Sequence, residues 1–283
     1  MNGTILVTGA GGMLGRDLVA AAKGRGWNVA AFTRAGLDVS DEAAVRCAVS
    51  EAHPTVIVNC AAFTRVDDCE IEEARARLVN GDSVAVLSRA ANEVSALLVQ
   101  VSTDFVFDGR STVPYREDDE TSPVSAYGRS KLLGEENARL SKEHLIVRTS
   151  WLYGLSGWNF IEALRKQIDA GKNELNVVDD QVGSPTSATD LADAILDLIA
   201  AGARGIVHFS NSGSVSWFGY AKEISRRLGW KAQVWPISSE MLARPARRPA
   251  HSVLDTSRYT GMTGRTPRLW TEPLAEYLDH SRS

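Results

Sequence analysis

The sequence predicts an α/β protein with a doubly wound parallel sheet of the Rossmann type and a smaller C-terminal lobe. The first two thirds of the chain alternate short, β-branched apolar runs with amphipathic stretches, the pattern of βαβ units. A glycine-rich turn, TGAGGMLG, joins the first apolar run to the first amphipathic stretch. After Trp151 this alternation gives way to longer helical stretches. We therefore divide the chain into residues 1–150 and residues 151–283, the second part mostly helical with some segments free to return to the sheet.

Each element follows from hydrophobic periodicity and its flanking residues. The predicted strands are Thr4–Thr8, Asn28–Phe32, Val56–Asn59, Ala96–Val101 and Leu145–Thr149. Between them, helices are predicted over Leu14–Arg25, Asp41–Ala52 with Ser40 as its cap, Ala74–Asn92 and Tyr127–Ser141. The C-terminal part carries predicted helices over Phe160–Ala170, Asp190–Ala201 and Trp217–Leu228, and a strand-like segment, Ile206–Phe209.

Composition excludes several classes of function. A chain of 283 residues that is 44% hydrophobic and 23% charged can bury a full core without disulfides. A net charge of −4 argues against nucleic-acid or membrane-surface binding, since both need a basic field. Cys47, Cys60 and Cys69 match no metal-ligand spacing, and no apolar stretch suits a signal peptide or a membrane span. We expect a cytoplasmic protein with reduced thiols and no bound metal.

The glycine turn predicts a dinucleotide site because it lies between a strand and a helix. Gly9 would allow the tight turn, Gly12 the approach of a pyrophosphate, and Gly15 the close packing of helix on strand. Free N–H groups at the start of the helix favour an anion. Met13 and Leu14, in this first turn, are also predicted to contact the cofactor. The GxxGxxG spacing resembles that of extended short-chain dehydrogenase/reductases, so the first part of the chain is expected to be an NAD(P)-binding domain.

The segment after the second strand predicts which nicotinamide cofactor is preferred. Arg34 stands where an NAD-selective site usually has an acid for the ribose 2′-OH. A guanidinium suits the 2′-phosphate of NADPH, so NADPH is expected, with NADH or a solvated surface arginine as the alternatives. Asp38 is placed like the adenine-contacting acid of that superfamily, and Val39 beside it joins the predicted cofactor contacts.

Tyr127 and Lys131, in YGRSK, are the predicted proton-transfer pair. Four residues apart on a helix, they project from one face. A neighbouring ammonium would lower the pKa of the phenol toward neutrality and make the pair a proton donor for a ketone. Thr103, after the fourth strand, would polarise the carbonyl, with Ser102 as the competing hydroxyl. Asp104 would support proton delivery, contact the sugar or cap the turn.

Seven motifs that run in order nearly from end to end resemble those of the dTDP-4-dehydrorhamnose reductases. They are TGAGGMLG, NCAAFTRVDDCE, VSTDFVFDG, YGRSKLLGE, RTSWLYG, DDQVGSPT and ARRPAHSVLD. That family reduces the C4 ketone of dTDP-4-dehydro-6-deoxy-L-mannose to dTDP-L-rhamnose, a precursor of cell-surface polysaccharides. The resemblance therefore implies hydride delivery from NAD(P)H to C4 and a proton from Tyr127, with residues 151–283 as the substrate-binding portion.

The resemblance also assigns contacts residue by residue. For the cofactor it implies Ala61, Ala62, Thr64 and Val101, with Tyr127 and Lys131 near the nicotinamide ribose. For the nucleotide sugar it implies Val66, Thr103, Asp104, Phe105, Trp151, Gln181 and Arg247. The forks of the Arg247–Arg248 pair suit a diphosphate. Asn80 resembles the helix asparagine of the wider superfamily, and a polar residue that bends the helix is the alternative.

Two other functions remain open from the sequence. A non-catalytic, NADP-binding regulatory subunit, like the methionine adenosyltransferase beta subunit, shares the fold and could keep the YxxxK pair. A nucleotide-sugar epimerase or dehydratase is the second, although dehydratases usually carry an acidic pair after the threonine and here Asp104 precedes Phe105. Assembly as a homodimer, the base of the nucleotide and the use of magnesium also stay open.

Overall fold

The computed structural model describes residues 3–281 as an α/β fold. Its strands are β1 (Thr4–Thr8), β2 (Asn28–Phe32), β3 (Val56–Asn59), β4 (Leu97–Thr103), β5 (His144–Thr149), β6 (Leu152–Tyr153), β7 (Glu174–Val178), β8 (Val182–Gly183), β9 (Thr186–Ser187), β10 (Gly205–His208), β11 (Val215–Ser216) and β12 (Gln233–Ile237). Its α-helices are α1 (Met13–Gly24), α2 (Glu42–Ala52), α3 (Val66–Ile71), α4 (Glu73–Arg77), α5 (Ser83–Glu93), α6 (Ala126–Ala138), α7 (Phe160–Asp169), α8 (Ala188–Ala200), α9 (Trp217–Leu228), α10 (Ser257–Thr263) and α11 (Thr271–His280).

The central sheet has six parallel strands in the order β10-β5-β4-β3-β1-β2. This confirms the predicted Rossmann-type sheet. The five predicted strands are all present, and β10, from the C-terminal half, adds a sixth. The chain runs from β1 to β2 on one side and then crosses to β3 on the other side of β1, so the strand order reverses at β1. The crevice between β1 and β3 is therefore where such sheets bind ligands.

Helices cover both faces of the sheet. On one face, α1 and α8 pack together over strand residues such as Val7 and Val58. On the other face, α2, α5 and α6 cover residues such as Leu6 and Ile57. Alternate residues of each strand thus enter opposite cores, which explains why the strands read as continuous apolar runs.

Two local predictions were wrong. The expected helix over Ala74–Asn92 is interrupted, because a π-helical turn, Leu78–Asp82, separates α4 from α5. Within it, Asn80 turns its side chain to the backbone of Phe63, accepting from the N–H at 2.7 Å and donating to the carbonyl at 2.9 Å. The other error is the cap of α2, which is Asp41 and not Ser40, since the Asp41 carboxylate accepts from Ala44 N.

The C-terminal lobe has an aromatic core of its own. Buried side chains of β6, β7, α7, α9 and α11 meet there, including Tyr153, Tyr220 and Tyr277, together with Trp270 directly before α11. The lobe is continuous with the sheet domain, since α8 and β10 belong to the helix layer and the sheet described above. Among residues 3–281, no helix combines the length and the apolar character that crossing a membrane requires.

Candidate active site

The glycine turn after β1 lies against the end of β3. Gly9 has a φ of 63°, and a Cβ there would lie 2.6 Å from Ala61 N. A Cβ on Gly15 would lie 2.3 Å from the Gly9 carbonyl, so both positions require glycine. Gly12 is exposed and precedes α1, whose first turn holds no acidic residue. This turn, with free N–H groups at a helix start and no opposing charge, fits a cofactor pyrophosphate.

The other predicted cofactor contacts surround this crevice. Ala61 and Ala62 are half-buried and Thr64 is exposed in the loop after β3. Met13 and Leu14 form the first turn of α1, and Val101 lies near the carboxyl end of β4.

The loop after β2 presents Arg34 to solvent at the edge of the sheet. Buried Leu37 and Val39 anchor that loop. The Asp38 carboxylate accepts from the backbone N–H of Ser40 at 2.9 Å and from its hydroxyl at 2.6 Å. These bonds, with a smaller contribution from the charge of Arg34, hold the pKa of Asp38 below its usual value. Arg34 is thus exposed at this edge, where an anionic group could reach it.

Tyr127 lies in the first turn of α6, at the carboxyl edge of the sheet. Ser125 caps the helix through Gly128 N at 3.1 Å. A Cβ on Gly128 would lie 2.2 Å from the Phe105 carbonyl, so glycine lets the helix meet the loop after β4. The rings of Tyr127 and Phe105 pack edge to face at 5.5 Å. Burial raises the pKa of Tyr127 above its ordinary value, although nearby Thr103 opposes the shift, and the phenol therefore carries its proton at neutral pH.

Lys131 lies one helical turn further along α6 and is 3% exposed. Its Nζ donates to the Val101 carbonyl at 2.6 Å. Burial lowers the pKa of Lys131 to about 8, and the Glu135 carboxylate opposes that shift. Among the described residues, the side chains that act on the Tyr127 phenol are Thr103, Asp104 and Cys69 rather than Lys131. The expected lowering of the tyrosine pKa by the lysine is therefore not seen in this arrangement.

The two competing hydroxyls of β4 point to different partners. Ser102 donates to the Glu135 carboxylate at 2.5 Å, so its hydroxyl faces α6 and is occupied there. Thr103 donates to Asp104 Oδ1 at 3.0 Å and lies beside Tyr127. Burial raises the pKa of Asp104 to about 6, against the opposing effect of the Ser252 and Thr103 hydroxyls. Thr103 is thus the hydroxyl that shares a site with the phenol.

Two predicted substrate contacts, Trp151 and Gln181, lie after β5 and before β8. Trp151 has a φ of 46°, and its ring stacks on Trp217 with centroids 3.5 Å apart. A Cβ on Gly183 would lie 2.4 Å from the Trp151 ring, so the glycine leaves room for it. Gln181 directly precedes β8 and is 7% exposed. Val66, another predicted substrate contact, is half-buried at the start of α3. One face of Trp151 is thus already covered by Trp217, a contact that periodicity could not reveal.

The adjacent arginines of the ARRPAHS segment differ in their surroundings. Arg247 is exposed. Arg248 is largely buried, and its guanidinium meets the Asp67 carboxylate in a two-pronged ion pair at 2.8 and 3.0 Å. The pair therefore consists of one outward-pointing arginine and one that anchors the segment.

Sequence reasoning missed a buried ion pair directly beneath the site. Arg148 on β5 and Glu135 on α6 are almost fully buried and meet through two hydrogen bonds of 2.7 and 2.8 Å. His208 lies beside Arg148, and burial with that positive charge lowers the His208 pKa to about 3. The available signal was Glu135, a carboxylate four residues after Lys131 on the same helix face.

A six-stranded parallel sheet with a glycine turn at the β1–β3 crevice and a YxxxK helix at its carboxyl edge defines a nicotinamide-dependent oxidoreductase of the short-chain type. The family model for the RmlD substrate binding domain matches residues 3–283. The dTDP-4-dehydrorhamnose reductase of Streptomyces griseus is 46% identical over 279 residues, covering 96% of this chain and 91% of the relative. The chain therefore belongs to the dTDP-4-dehydrorhamnose reductase family of NAD(P)H-dependent oxidoreductases.

Solved structures agree with this membership. The dTDP-4-dehydrorhamnose reductase of Clostridium acetobutylicum superposes with a TM-score of 0.95 at 40% identity, covering 99% of this chain and 100% of that one. The Bacillus anthracis enzyme, solved in complex with NADP, gives a TM-score of 0.94 at 35% identity, with coverage of 99% and 100%. The expectation of a reductase fold and family is confirmed.

Proposed function

We propose that this protein reduces the C4 ketone of dTDP-4-dehydro-6-deoxy-L-mannose to dTDP-L-rhamnose with NADPH. The observation that carries the proposal is the grouping of Thr103, Asp104 and Tyr127 where β4 ends, at the same carboxyl edge of the sheet as the glycine turn. The Streptomyces griseus relative is named for this reaction. NADPH is the proposed cofactor, with NADH as a weaker alternative, since one relative was solved with NADP.

Some residues of the site would bind the cofactor and orient the ketone, and others would transfer the proton. Gly12 and the free N–H groups at the start of α1 would hold the pyrophosphate, in a turn that Gly9 and Gly15 make possible, and Lys131 would hold the nicotinamide ribose. The bound cofactor supplies the hydride that reduces the ketone carbon. On substrate binding, the Thr103 hydroxyl would turn its single proton from Asp104 to the ketone oxygen and orient that oxygen.

Tyr127 would give its phenolic proton to that oxygen as the alcohol forms. A phenol kept neutral by burial is suited to the role of proton donor. Asp104, with a pKa raised to about 6, would hold the Thr103 hydroxyl before the ketone binds or return a proton to the phenol.

For the substrate, we propose contacts with Val66, Phe105, Trp151, Gln181 and Arg247. Phe105 packs against Tyr127 and would limit where the sugar ring can lie. Arg247, exposed and without an ion-pair partner among those recorded for residues 3–281, would meet the diphosphate.

The direct test is to mix purified protein with NADPH and dTDP-4-dehydrorhamnose and to follow the absorbance of the reduced nicotinamide. Loss of that absorbance, with dTDP-L-rhamnose identified by mass spectrometry, is the expected result. NADPH binding without oxidation would favour the regulatory-subunit alternative. Sugar conversion without net NADPH oxidation would favour an epimerase or dehydratase.

Replacing Arg34 by Asp should shift preference from NADPH toward NADH. An acid would repel the 2′-phosphate and accept a hydrogen bond from a free 2′-OH. Loss of one charge-assisted pair should weaken NADPH binding by about 1.5 to 3 kcal/mol. The ratio of kcat/KM for the two cofactors measures the effect, and an unchanged ratio would make Arg34 a surface residue only.

Replacing Arg247 by Ala should weaken the binding of the nucleotide sugar far more than that of NADPH, because the diphosphate belongs to the sugar. Loss of a charge-assisted contact of about 1.5 to 3 kcal/mol corresponds to a rise in KM of about 10- to 150-fold. Titrations with dTDP and with NADPH separate the two effects. Equal losses for both ligands, or for neither, would contradict the assignment.

We also propose a cytoplasmic enzyme, acting either as a monomer or as a homodimer. The three cysteines are free thiols, which suits a reducing compartment. Cell fractionation tests the location, and light scattering of the purified protein decides between the two assemblies.

A further inference from the structure

The short helix α3 lies between two parts of the candidate site. It contacts α6, which carries Tyr127, and its first turn contacts the ARRPAHS segment, which carries Arg247. Two of its carboxylates, Asp67 and Glu70, are three residues apart and each bonds one of these neighbours. Neither has a role in the reaction as proposed above.

Asp67 holds the residues on both sides of Arg247. Its Oδ1 accepts from the backbone N–H of Ala246 at 3.1 Å. The same carboxylate pairs with the guanidinium of Arg248, which also donates to the Ala246 carbonyl at 2.8 Å. Ala246 and Arg248 are both turned inward, and Arg247 between them is exposed. Because one carboxylate fixes both neighbours, it determines where the Arg247 backbone lies.

Glu70 holds the start of the helix that carries Tyr127. Its Oε1 accepts from Ala126 N, the first N–H of α6, at 2.7 Å. Its other oxygen lies 4.0 Å from the Arg129 guanidinium. A helix start has free N–H groups and a positive dipole end, so a carboxylate there both satisfies a donor and stabilises the turn. Tyr127 directly follows Ala126, so this bond acts on the position of the phenol.

We propose that α3 positions the residues that meet the two ends of the substrate. Asp67 positions Arg247 for the diphosphate, and Glu70 positions Tyr127 for the ketone. This inference rests on the proposed function. It predicts that the two carboxylates affect different kinetic constants. Loss of Asp67 should act on substrate binding, and loss of Glu70 on turnover, although the two residues share one helix of six residues.

The test compares Asp67→Ala, Glu70→Ala and, as a matched control from the same helix, Asp68→Ala, whose carboxylate makes a surface ion pair with Arg65. Asp67→Ala should raise the KM for the nucleotide sugar about tenfold, as expected for loss of a charge-assisted pair, with kcat changed less than about threefold. Glu70→Ala should lower kcat about tenfold with KM nearly unchanged, and Glu70→Gln, which keeps an acceptor, should restore most of it. Asp68→Ala should resemble the wild type.

A double-mutant cycle separates positioning from general loosening of the fold. If Asp67 acts through Arg247, Asp67→Ala should add little in the background of Arg247→Ala. Full additivity, or a KM and kcat that change together in both single variants, would overturn the inference. Arg248→Ala is a second test of the same ion pair, since removing the partner of Asp67 should raise the KM for the nucleotide sugar in the same way.

Binding of dTDP, measured by calorimetry, distinguishes failure of the inference from failure of the proposed function. Weaker dTDP binding by Asp67→Ala, with unchanged NADPH binding, supports the positioning of Arg247 even in a protein that does not turn over the sugar. If the wild type turns over the sugar and Asp67→Ala binds dTDP as tightly as the wild type does, the inference is contradicted.

Discussion

Replacing Tyr127 by Phe should lower kcat by about 10²- to 10⁴-fold, the usual contribution of a general acid. The substitution removes the proton donor and keeps the ring, its edge-to-face contact with Phe105 and the packing of α6. Stability and NADPH affinity should therefore survive. Steady-state kinetics with the nucleotide sugar, together with an NADPH titration, measure both expectations.

Lys131 provides the companion test. Lys131→Met should weaken NADPH binding as well as turnover, because the ammonium is proposed to hold the nicotinamide ribose. In the double variant, the further cost of Lys131→Met should be confined to cofactor positioning, since Lys131 does not act on the phenol in this arrangement. Tyr259→Phe is the matched control for Tyr127→Phe. The Tyr259 phenol is on α10 and donates to the Asp197 carboxylate at 3.4 Å, so its removal also costs one hydrogen bond but leaves the candidate site unchanged.

A Tyr127→Phe enzyme within a few-fold of the control would contradict the proposed proton route. Proton delivery through Thr103 and Asp104 would then be the next route to examine, because these side chains are hydrogen-bonded to each other beside the phenol.

Replacing Arg148 by Met should lower the free energy of unfolding by about 3 to 5 kcal/mol, since it leaves a buried carboxylate without its partner. Glu135 is fully buried and is bonded by both Arg148 and Ser102. Urea unfolding of the wild type and the variant measures the difference.

Two comparisons make this stability prediction specific. Arg89→Met removes an exposed ion pair with Glu42 and should cost less than about 1 kcal/mol, because solvent screens that pair. The double substitution Arg148→Met with Glu135→Leu should recover much of the loss, since replacing both charges by apolar groups is often neutral. Equal effects of Arg148→Met and Arg89→Met would show that the buried pair has no special role in stability.

Local sequence patterns were sufficient for most of the sheet. β1, β2 and β3 have the predicted bounds, and β4 and β5 differ by a residue or two at their ends. Helix α9 also begins and ends where expected. These elements are determined by apolar periodicity and by residues within a few positions of each end, which a single sequence displays directly.

The sequence by itself thus determined the fold class, the glycine turn and the residue types of the candidate site. Which neighbour each polar side chain takes was decided only by tertiary structure. Ser102 and Thr103 are equivalent in sequence, yet Ser102 meets Glu135, 33 residues away, and Thr103 faces Tyr127. Arg247 and Arg248 are likewise alike until Asp67, 181 residues from Arg248, pairs with one of them. Such partners lie far apart in the chain, and a buried polar group must bond to whichever element the fold brings beside it.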